Sequence, residues 1–262
     1  MKIVLHIDFN SYFATIEQQA NPRLRGKPVG VTGGDRSKRT VICTASIEAK
    51  ALGVKTGTSL QEALRVCPQL IIVPGESEKY LECSKRFLNI LKDYSPFLEV
   101  FSIDESFIQL PIGRSLDDAL NIAEEIKDRI SKQVGEWVRC SIGISYNKVM
   151  AKLASDLYKP NGLNAILDPQ AAMMILDQLP LDEICGIGQR IKKRLWNMGV
   201  TNFSELRQVP VEALLATFKS YGQTLYDMSR GIDHTPLTGF YDKEQVKSIG
   251  HRHTLDHDTH SE

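Results

Sequence analysis

The chain has 262 residues, of which 42% are hydrophobic and 24% are charged, a composition typical of globular proteins. Its 32 basic and 32 acidic residues cancel, which argues against a strongly basic nucleic-acid binder but allows a local basic groove. No apolar run approaches the ~18 residues of a membrane span, and no secretory signal is seen. We therefore expect a cytoplasmic protein without membrane contact, and a monomer. Its five cysteines are odd in number, scattered and without a Cys-x-x-Cys pair, so reduced, mostly buried thiols are expected.

In the first third of the chain, short apolar runs alternate with stretches of helical periodicity. The runs are bounded by Asn, Gly and Pro, residues that commonly end regular elements. The pattern predicts a strand at 2–7, a helix at 10–19, strands at 28–31 and 41–45, helices at 46–52 and 59–66, a strand at 70–73 and a helix at 76–94.

The middle of the chain adds two apolar runs, 97–103 and 107–110, which predict a hairpin. A helix at 116–134, a strand at 138–145, a helix at 147–158 and a strand at 163–167 follow, and beyond residue 169 only short helices are predicted. The order strand, helix, hairpin, helix, strand is that of a ferredoxin-like, split βαβ layout. The fold class we predict is α+β.

Three carboxylates lie where apolar runs stop: Asp8 after the first, and Asp104 with Glu105 at the hairpin tip. Converging carboxylates repel one another unless cations lie among them, and hard oxygen ligands suit Mg²⁺. The pattern favours a two-metal phosphoryl-transfer site. An Asp after a strand is, however, commonly a turn former or helix cap, and an Asp-Glu pair at a hairpin tip is commonly solvated. Both alternatives stay open.

Gly186 and Gly188 form a Gly-x-Gly turn between two helical stretches, followed by Arg190, Lys192 and Lys193. Such a turn, typical of a helix-hairpin-helix element, brings backbone N–H groups close to a phosphate. The alternative is a helix C-cap followed by a solvated basic face.

The C-terminal stretch is polar at 239–245, and a strand is predicted at 247–255. One strand does not fold alone. The four histidines of this tail are not expected to form a metal site: His251, His253, His257 and His260.

Four motifs in this order carry a family resemblance: residues 7–14 (IDFNSYFA), 102–106 (SIDES), 141–152 (SIGISYNKVMAK) and 154–162 (ASDLYKPNG). The chain resembles the Y-family translesion DNA polymerases (DinB/UmuC-like). The resemblance implies a palm from 1–10 and 76–165, small fingers from 11–75, a helix-hairpin-helix thumb from 166–232, and a linker with the start of an incomplete little finger from 233–262.

The same resemblance implies that Asp8, Asp104 and the Phe9 carbonyl bind metal, with Glu105 at the metal that meets the primer 3′-hydroxyl. It implies two Mg²⁺ ions as cofactors. By resemblance, Gly186, Gly188, Arg190, Lys192 and Lys193 bind DNA.

For the nucleotide, the resemblance implies that Tyr12 and Phe13 offer backbone N–H groups to the triphosphate and that the Phe13 ring is a steric gate against ribose. Thr44, Lys50 and Lys159 match triphosphate-contacting positions. Many relatives have Tyr and Arg where this chain has Ile47 and Lys50, and Lys lacks the planar fork with which Arg grips phosphate. Lys38 or Arg39 would then supplement triphosphate binding.

The implied activity is template-directed DNA synthesis from dNTPs on a primer, with low fidelity and the ability to pass damaged template bases. The implied partners are primer–template DNA, dNTP and a sliding clamp, the last through C-terminal residues outside this chain. Two alternatives remain: a DNA-binding fragment with little catalysis, because the little finger is incomplete, and a nucleotidyl cyclase on a similar palm.

Overall fold

The structure, a computed structural model, describes residues 2–33, 40–242 and 248–250. The chain forms two compact units. The first contains residues 2–8, 91–126 and 140–240, and the second contains residues 9–33, 40–90 and 127–139 together with the described residues after 240. In the described residues, no helix is both long and apolar enough to cross a membrane.

Strands and helices alternate through the first two thirds of the described chain, and the last third is helical. The strands are β1 Val4–Phe9, β2 Val29–Thr32, β3 Ile42–Ala45, β4 Ile71–Pro74, β5 Leu98–Val100, β6 Glu105–Gln109, β7 Cys140–Ser145 and β8 Leu163–Ile166. The helices are α1 Tyr12–Ala20, α2 Ile47–Ala51, α3 Leu60–Val66, α4 Ser77–Leu91, α5 Leu116–Gln133, α6 Lys148–Asp156, α7 Pro169–Leu176, α8 Gln189–Asn197, α9 Phe203–Gln208, α10 Val211–Phe218 and α11 Tyr221–Met228. Short 3₁₀ helices occupy Pro22–Leu24 and Leu181–Glu183.

A five-stranded sheet with the order β5-β6-β1-β7-β8 contains the buried strands β1 and β7. The β5–β6 hairpin is antiparallel, as is the β1–β6 pair, and β8 is parallel to β7 through the α6 crossover. The first four of these strands have the spatial order of a ferredoxin-like sheet, to which β8 adds one edge. The predicted α+β class and split βαβ layout are confirmed.

The second unit contains a three-stranded sheet with the order β3-β2-β4. Strand β2 is antiparallel to β3 and parallel to β4. A hydrophobic core packs this sheet against the apolar faces of α2 and α3. The buried residues of this core are Ile42, Ala45, Ala49, Val54, Ala63, Cys67 and Leu70.

Helix α6 lies very close to strand β7 at Gly143. A Cβ at this position would lie 2.0 Å from the carbonyl oxygen of Ala151 and 2.3 Å from the amide nitrogen of Ser155. Only a residue without a side chain allows this approach. Asn147 is the N-cap of α6, and its Oδ1 accepts the Met150 N–H at 2.8 Å. The glycine and the cap together fix α6 against the sheet.

The segment after α11 is held to the first unit by polar contacts. Lys148 Nζ lies 2.7 Å and 2.9 Å from the two carboxylate oxygens of Glu99, and Glu99 Oε2 also accepts the Thr238 N–H at 2.8 Å. Asp233 accepts the Val149 N–H at 3.3 Å. These contacts fasten residues 233–238 to β5 and to the start of α6.

The structure differs from the predicted elements mainly at their ends. Strand β1 begins two residues later and continues through Asp8, so this aspartate lies within the strand rather than after it. The reason is that Asp8 pairs across the sheet with Glu105 and keeps extended backbone. The predicted strand at 97–103 is shorter, Leu98–Val100, because a turn precedes Glu105. Except for residues 248–250, which are not a strand, the predicted strand at 247–255 and the tail histidines lie outside the described residues.

Candidate active site

Two of the three predicted carboxylates meet in the sheet of the first unit. Asp8 of β1 lies directly opposite Glu105 of β6, and opposite residues of paired strands project from the same face. His6, two residues before Asp8, projects from that face as well. One ligand atom from each of His6, Asp8 and Glu105 lies within 4.8 Å of the others. The three residues offer one nitrogen and two carboxylates to a cation.

Two lysines neutralise these carboxylates. Lys159 Nζ lies 2.6 Å from Asp8 Oδ2 and 2.6 Å from Asp156 Oδ1. Lys152 of α6 lies 2.9 Å from Glu105 Oε1 and 4.0 Å from Asp8 Oδ2. The close approach of α6 at Gly143 brings Lys152 to the site, so a feature of backbone packing sets the charge balance at the acids.

The pKa values of the two carboxyl groups are shifted in opposite directions. Burial raises the pKa of Asp8 to about 7, because the Lys159 ion pair does not fully offset the loss of water around the carboxylate. Burial alone would also raise the pKa of Glu105, but neighbouring His6 and Lys152 outweigh it and hold the pKa at about 2. For Lys159, burial would lower the pKa, and the charges of Asp8 and Asp156 reverse this and raise it.

His6 is fully buried beneath the carboxylates. Its Nδ1 lies 2.7 Å from Ser155 Oγ, and this hydroxyl also donates to the Lys152 carbonyl at 2.8 Å. Its Nε2 lies 3.7 Å from Glu105 Oε2 and has no hydrogen-bond partner. Burial lowers the pKa of His6, which favours the neutral ring. Sequence reasoning missed His6 and Lys152, because a lone histidine inside an apolar strand and a lysine on a helix carry no pattern of their own.

Asp104, the third predicted carboxylate, lies in the turn before β6. Its Oδ1 accepts a hydrogen bond from Ser102 Oγ at 2.5 Å, and its backbone N–H donates to the same hydroxyl at 3.3 Å. Among the described residues, it is not part of the cluster that His6, Asp8 and Glu105 form. The structure therefore brings together Asp8 and Glu105, while the Asp104 carboxylate is held within its own turn.

Three residues predicted for metal or nucleotide contacts lie in or next to the first helix of the second unit. Phe9 is buried. The Tyr12 hydroxyl donates to the Tyr80 carbonyl at 2.8 Å, and the Phe13 ring stacks on the Tyr80 ring with centroids 4.3 Å apart. These contacts hold the start of α1 against α4. They fix the Phe13 ring in a half-buried position.

The remaining predicted nucleotide contacts of this unit lie on β3 and α2. Thr44 is half-buried and donates to the Cys43 carbonyl at 2.8 Å, and Lys50 is exposed in the short helix α2. The predicted supplementary residues Lys38 and Arg39 lie outside the described residues.

The Gly-x-Gly turn precedes α8 in the first unit. Gly186 has a φ of +106°, a conformation that favours glycine, and its carbonyl accepts the Tyr221 hydroxyl at 2.8 Å. Gly188 is the N-cap of α8. The turn therefore opens a helix of nine residues, as predicted, with its glycines exposed.

The basic residues that follow are not equivalent. Lys192 Nζ lies 2.7 Å from Asp182 Oδ1, and both side chains are only about one-fifth exposed. Arg190 and Lys193 are exposed. Since Lys192 already faces a carboxylate, we expect Arg190 and Lys193 to contribute more charge to an anionic partner.

Comparison with known proteins identifies the family. Residues 7–156 match the model of the impB/mucB/samB family, and residues 182–233 match the thumb domain of DNA polymerase iota. The DNA polymerase IV of Pelotomaculum thermopropionicum is 39% identical over 257 residues, which cover 97% of this chain and 63% of that protein. DNA polymerase IV 1 of Bacillus subtilis is 36% identical over 264 residues, which cover 62% of its length. This chain thus spans less than two thirds of these relatives.

Solved structures agree with the sequence comparison. DinB from Sulfolobus solfataricus superposes with a TM-score of 0.79 at 29% identity, covering 90% of this chain and 69% of that one. The insertion ternary complex of Dbh DNA polymerase gives a TM-score of 0.80 at 30% identity, with the same coverage. A chimera of Dbh and Dpo4 described as a Y-family DNA polymerase gives 0.82. The motifs, the ferredoxin-like sheet and the family match over residues 7–156 lead to one conclusion: the chain belongs to the impB/mucB/samB family, with Y-family DNA polymerases as its structural neighbours.

Proposed function

We propose that this chain is the polymerising part of a template-directed DNA polymerase that extends a primer with dNTPs at low fidelity and passes damaged template bases. The observation that supports this most is the approach of Asp8 and Glu105 to within 4.8 Å on the sheet of a chain that belongs to this family. Phosphoryl transfer depends on positioning of the reacting groups and on charge neutralisation. Two carboxylates on adjacent strands would hold cations that supply both.

The residues present fit divalent cations. Asp8 and Glu105 supply hard oxygen ligands, and each lies against a lysine ammonium group, which supports a role for positive charge at this site. Two Mg²⁺ ions at such a site would lower the pKa of the primer 3′-hydroxyl and neutralise the leaving pyrophosphate. Asp104 and the Phe9 carbonyl are proposed to complete the ligand set.

Lys159 is proposed to bind the triphosphate. Its ammonium group lies 2.6 Å from Asp8 Oδ2. A cation bound at Asp8 would release this ammonium group, which could then bind a phosphate oxygen. Tyr12, Phe13, Thr44 and Lys50 are proposed as further nucleotide contacts, and the Phe13 ring as the gate that favours deoxynucleotides.

For DNA, the proposed contacts are the backbone amides of Gly186 and Gly188 together with Arg190, Lys192 and Lys193. An exposed turn at the N-terminus of α8 directs N–H groups and a positive helix end at a phosphate. We also propose the domain division into palm, fingers, thumb and little finger at residues 1–10 with 76–165, 11–75, 166–232 and 233–262, and a sliding clamp as a partner.

Primer extension on an undamaged template with Mg²⁺ tests the proposal directly. Asp8→Asn, Asp104→Ala and Glu105→Gln are each expected to lower the extension rate at least about 100-fold. The matched control is Glu124→Gln, which alters an exposed carboxylate of α5. Wild-type rates for Asp8→Asn and Glu105→Gln would reject the assignment of the metal site. A product from ATP or GTP without primer and template would instead indicate a cyclase.

A further inference from the structure

The hydrogen bonds around His6 favour a proton on Nδ1. The Ser155 hydroxyl has one hydrogen, and the Lys152 carbonyl accepts it at 2.8 Å. In that arrangement the Ser155 oxygen accepts from the protonated Nδ1, 2.7 Å away. The neutral ring of this tautomer presents a lone pair at Nε2.

That lone pair faces the carboxylates with no partner. Nε2 is buried, forms no hydrogen bond and lies 3.7 Å from Glu105 Oε2, which is also an acceptor. The nearby ammonium groups serve other atoms: Lys152 lies against Glu105 Oε1 and Lys159 against Asp8 Oδ2. A buried acceptor without a donor is unfavourable, and a cation bound to both Nε2 and Oε2 would remove this cost.

The arrangement matches a metal-binding histidine in two further respects. Histidines that bind metals commonly donate their other ring N–H to a neighbouring oxygen, as Nδ1 does here to Ser155. Donor atoms on one cation at about 2.0–2.2 Å lie roughly 3–3.5 Å apart, and Nε2 and Oε2 are already near that separation.

We infer that His6 Nε2 is a nitrogen ligand for a divalent transition-metal cation held together with Asp8 and Glu105. The inference rests on the proposed metal site and goes beyond it, because it adds a ligand and a selectivity. Carboxylate oxygens suit Mg²⁺, whereas an imidazole nitrogen favours cations such as Co²⁺, Ni²⁺ and Zn²⁺. The site is therefore expected to take Co²⁺ more tightly than Mg²⁺ in the absence of nucleotide and DNA.

The test is the affinity ratio of Co²⁺ to Mg²⁺, obtained by titrating the full chain with Co²⁺ alone, following its visible absorption, and then displacing it with Mg²⁺. His6→Asn keeps a hydrogen-bond donor near the Nδ1 position and removes Nε2. The affinity of this site for Co²⁺ is therefore expected to fall by about tenfold or more. His6→Gln replaces the nitrogen ligand by an amide, so the affinity ratio is expected to fall. Ser155→Ala removes the acceptor of Nδ1–H and is expected to weaken Co²⁺ binding by a smaller factor.

His234→Asn is the matched control, since His234 is an exposed histidine of the same unit. The other histidines are the same in the wild type and in both His6 variants, so the Co²⁺ binding that is lost in those variants is assigned to His6. Circular dichroism melting establishes that each variant folds, and His6→Gln serves if His6→Asn does not. An unchanged affinity ratio in either folded His6 variant would overturn the inference.

Two further variants separate this inference from the proposed function. If Asp8→Asn and Glu105→Gln lose Co²⁺ binding while the His6 variants keep it, the nitrogen ligand is rejected and the carboxylate site stands. If the carboxylate variants also bind Co²⁺ like the wild type and extend primers normally, the proposed metal site fails together with the inference.

Discussion

The ammonium nitrogen of Lys159 lies 2.6 Å from Asp8 Oδ2, yet the pKa of Asp8 is raised to about 7. An ion pair usually lowers the pKa of a carboxyl group, so burial has the larger effect here. Asp8 is 5% exposed, and its charged form has lost most of its water. The site therefore contains a carboxylate whose charge is costly in the metal-free protein.

The first prediction is a pH dependence of stability in metal-free protein. Since the folded pKa of Asp8 exceeds its unfolded value of 3.8, the folded state binds more protons between pH 4 and 7. Asp8 therefore makes the free energy of unfolding fall as the pH rises through this window, by at most about 1.4 kcal/mol per pH unit. Glu105, with a lowered pKa, acts oppositely and loses its stabilising effect only as the pH falls from about 4.5 towards 2.

Urea unfolding in EDTA at pH 5, 6, 7 and 8 measures the Asp8 effect. Asp8→Asn removes the titrating group, so its pH slope is expected to be shallower than that of the wild type and its stability at pH 8 higher. Equal slopes for both proteins would show that the Asp8 pKa is not raised.

The second prediction concerns the close contact between β7 and α6. Gly143→Ala places a methyl group against the Ala151 carbonyl and the Ser155 amide, so it is expected to lower the free energy of unfolding by about 1–3 kcal/mol or more. Because α6 carries Lys152 and Ser155, Mg²⁺-dependent primer extension should fall as well.

The control for Gly143 is Gly33→Ala, where the nearest atom that a methyl group would meet among the described residues is Thr40 Oγ1 at 3.9 Å. Urea unfolding of both variants provides the comparison. A Gly143→Ala protein as stable as the wild type would mean that α6 moves away from the sheet without cost.

The third prediction concerns the tether of residues 233–238. Lys148→Met leaves the Glu99 carboxylate, 12% exposed, without its cation, and the Thr238 N–H becomes its main partner. We expect faster proteolysis after residue 232 and a loss of about 1–3 kcal/mol in stability. Limited chymotrypsin digestion, which can cut after Leu237, Phe240 and Tyr241, followed by mass spectrometry identifies the cleavage sites. Lys132→Met, which breaks an exposed pair on α5, should leave the cleavage rate unchanged.

The fourth prediction ranks the basic residues of α8 in DNA binding. Arg190→Ala and Lys193→Ala should each weaken primer–template binding and reduce the slope of log affinity against log salt by about 1. Lys192→Ala should have a smaller effect, because Asp182 already neutralises that ammonium group. Fluorescence anisotropy at two salt concentrations decides the ranking. A slope change for Lys192→Ala as large as for the other two would contradict it.

The fifth prediction addresses sugar selection. Phe13→Ala removes the ring that stacks on Tyr80 and is expected to raise rNTP incorporation relative to dNTP by about 100-fold or more, since a bulky ring excludes a 2′-hydroxyl by steric clash. Single-nucleotide insertion kinetics with dCTP and CTP provide the ratio. The control Phe97→Ala alters an exposed phenylalanine. An unchanged ratio for Phe13→Ala removes the gate role.

The sequence predicted the order of the elements well, because strands such as β1 and β7 are continuous apolar runs and α4 and α5 have clear helical periodicity. It predicted the site less completely. Asp8 and Glu105 were found because both end apolar patterns. The position of the Asp104 carboxylate depends on the local turn and its bond to Ser102, which periodicity does not encode.

His6 could not be identified from pattern alone. Its partner Ser155 is 149 residues away, and only the sheet register and the α6 crossover bring the two together. Lys152 likewise reaches Glu105 across 47 residues because Gly143 allows α6 to approach. Contacts of this kind depend on tertiary packing, so a single sequence does not reveal them.

Lys152 and Lys159 already lie against the site carboxylates in the folded chain. Loading the site with cations is then an exchange of counter-ions rather than the assembly of a new structure. A chelator should consequently remove metal without unfolding the protein, and the chain should be recoverable in active form after storage in EDTA once magnesium is restored.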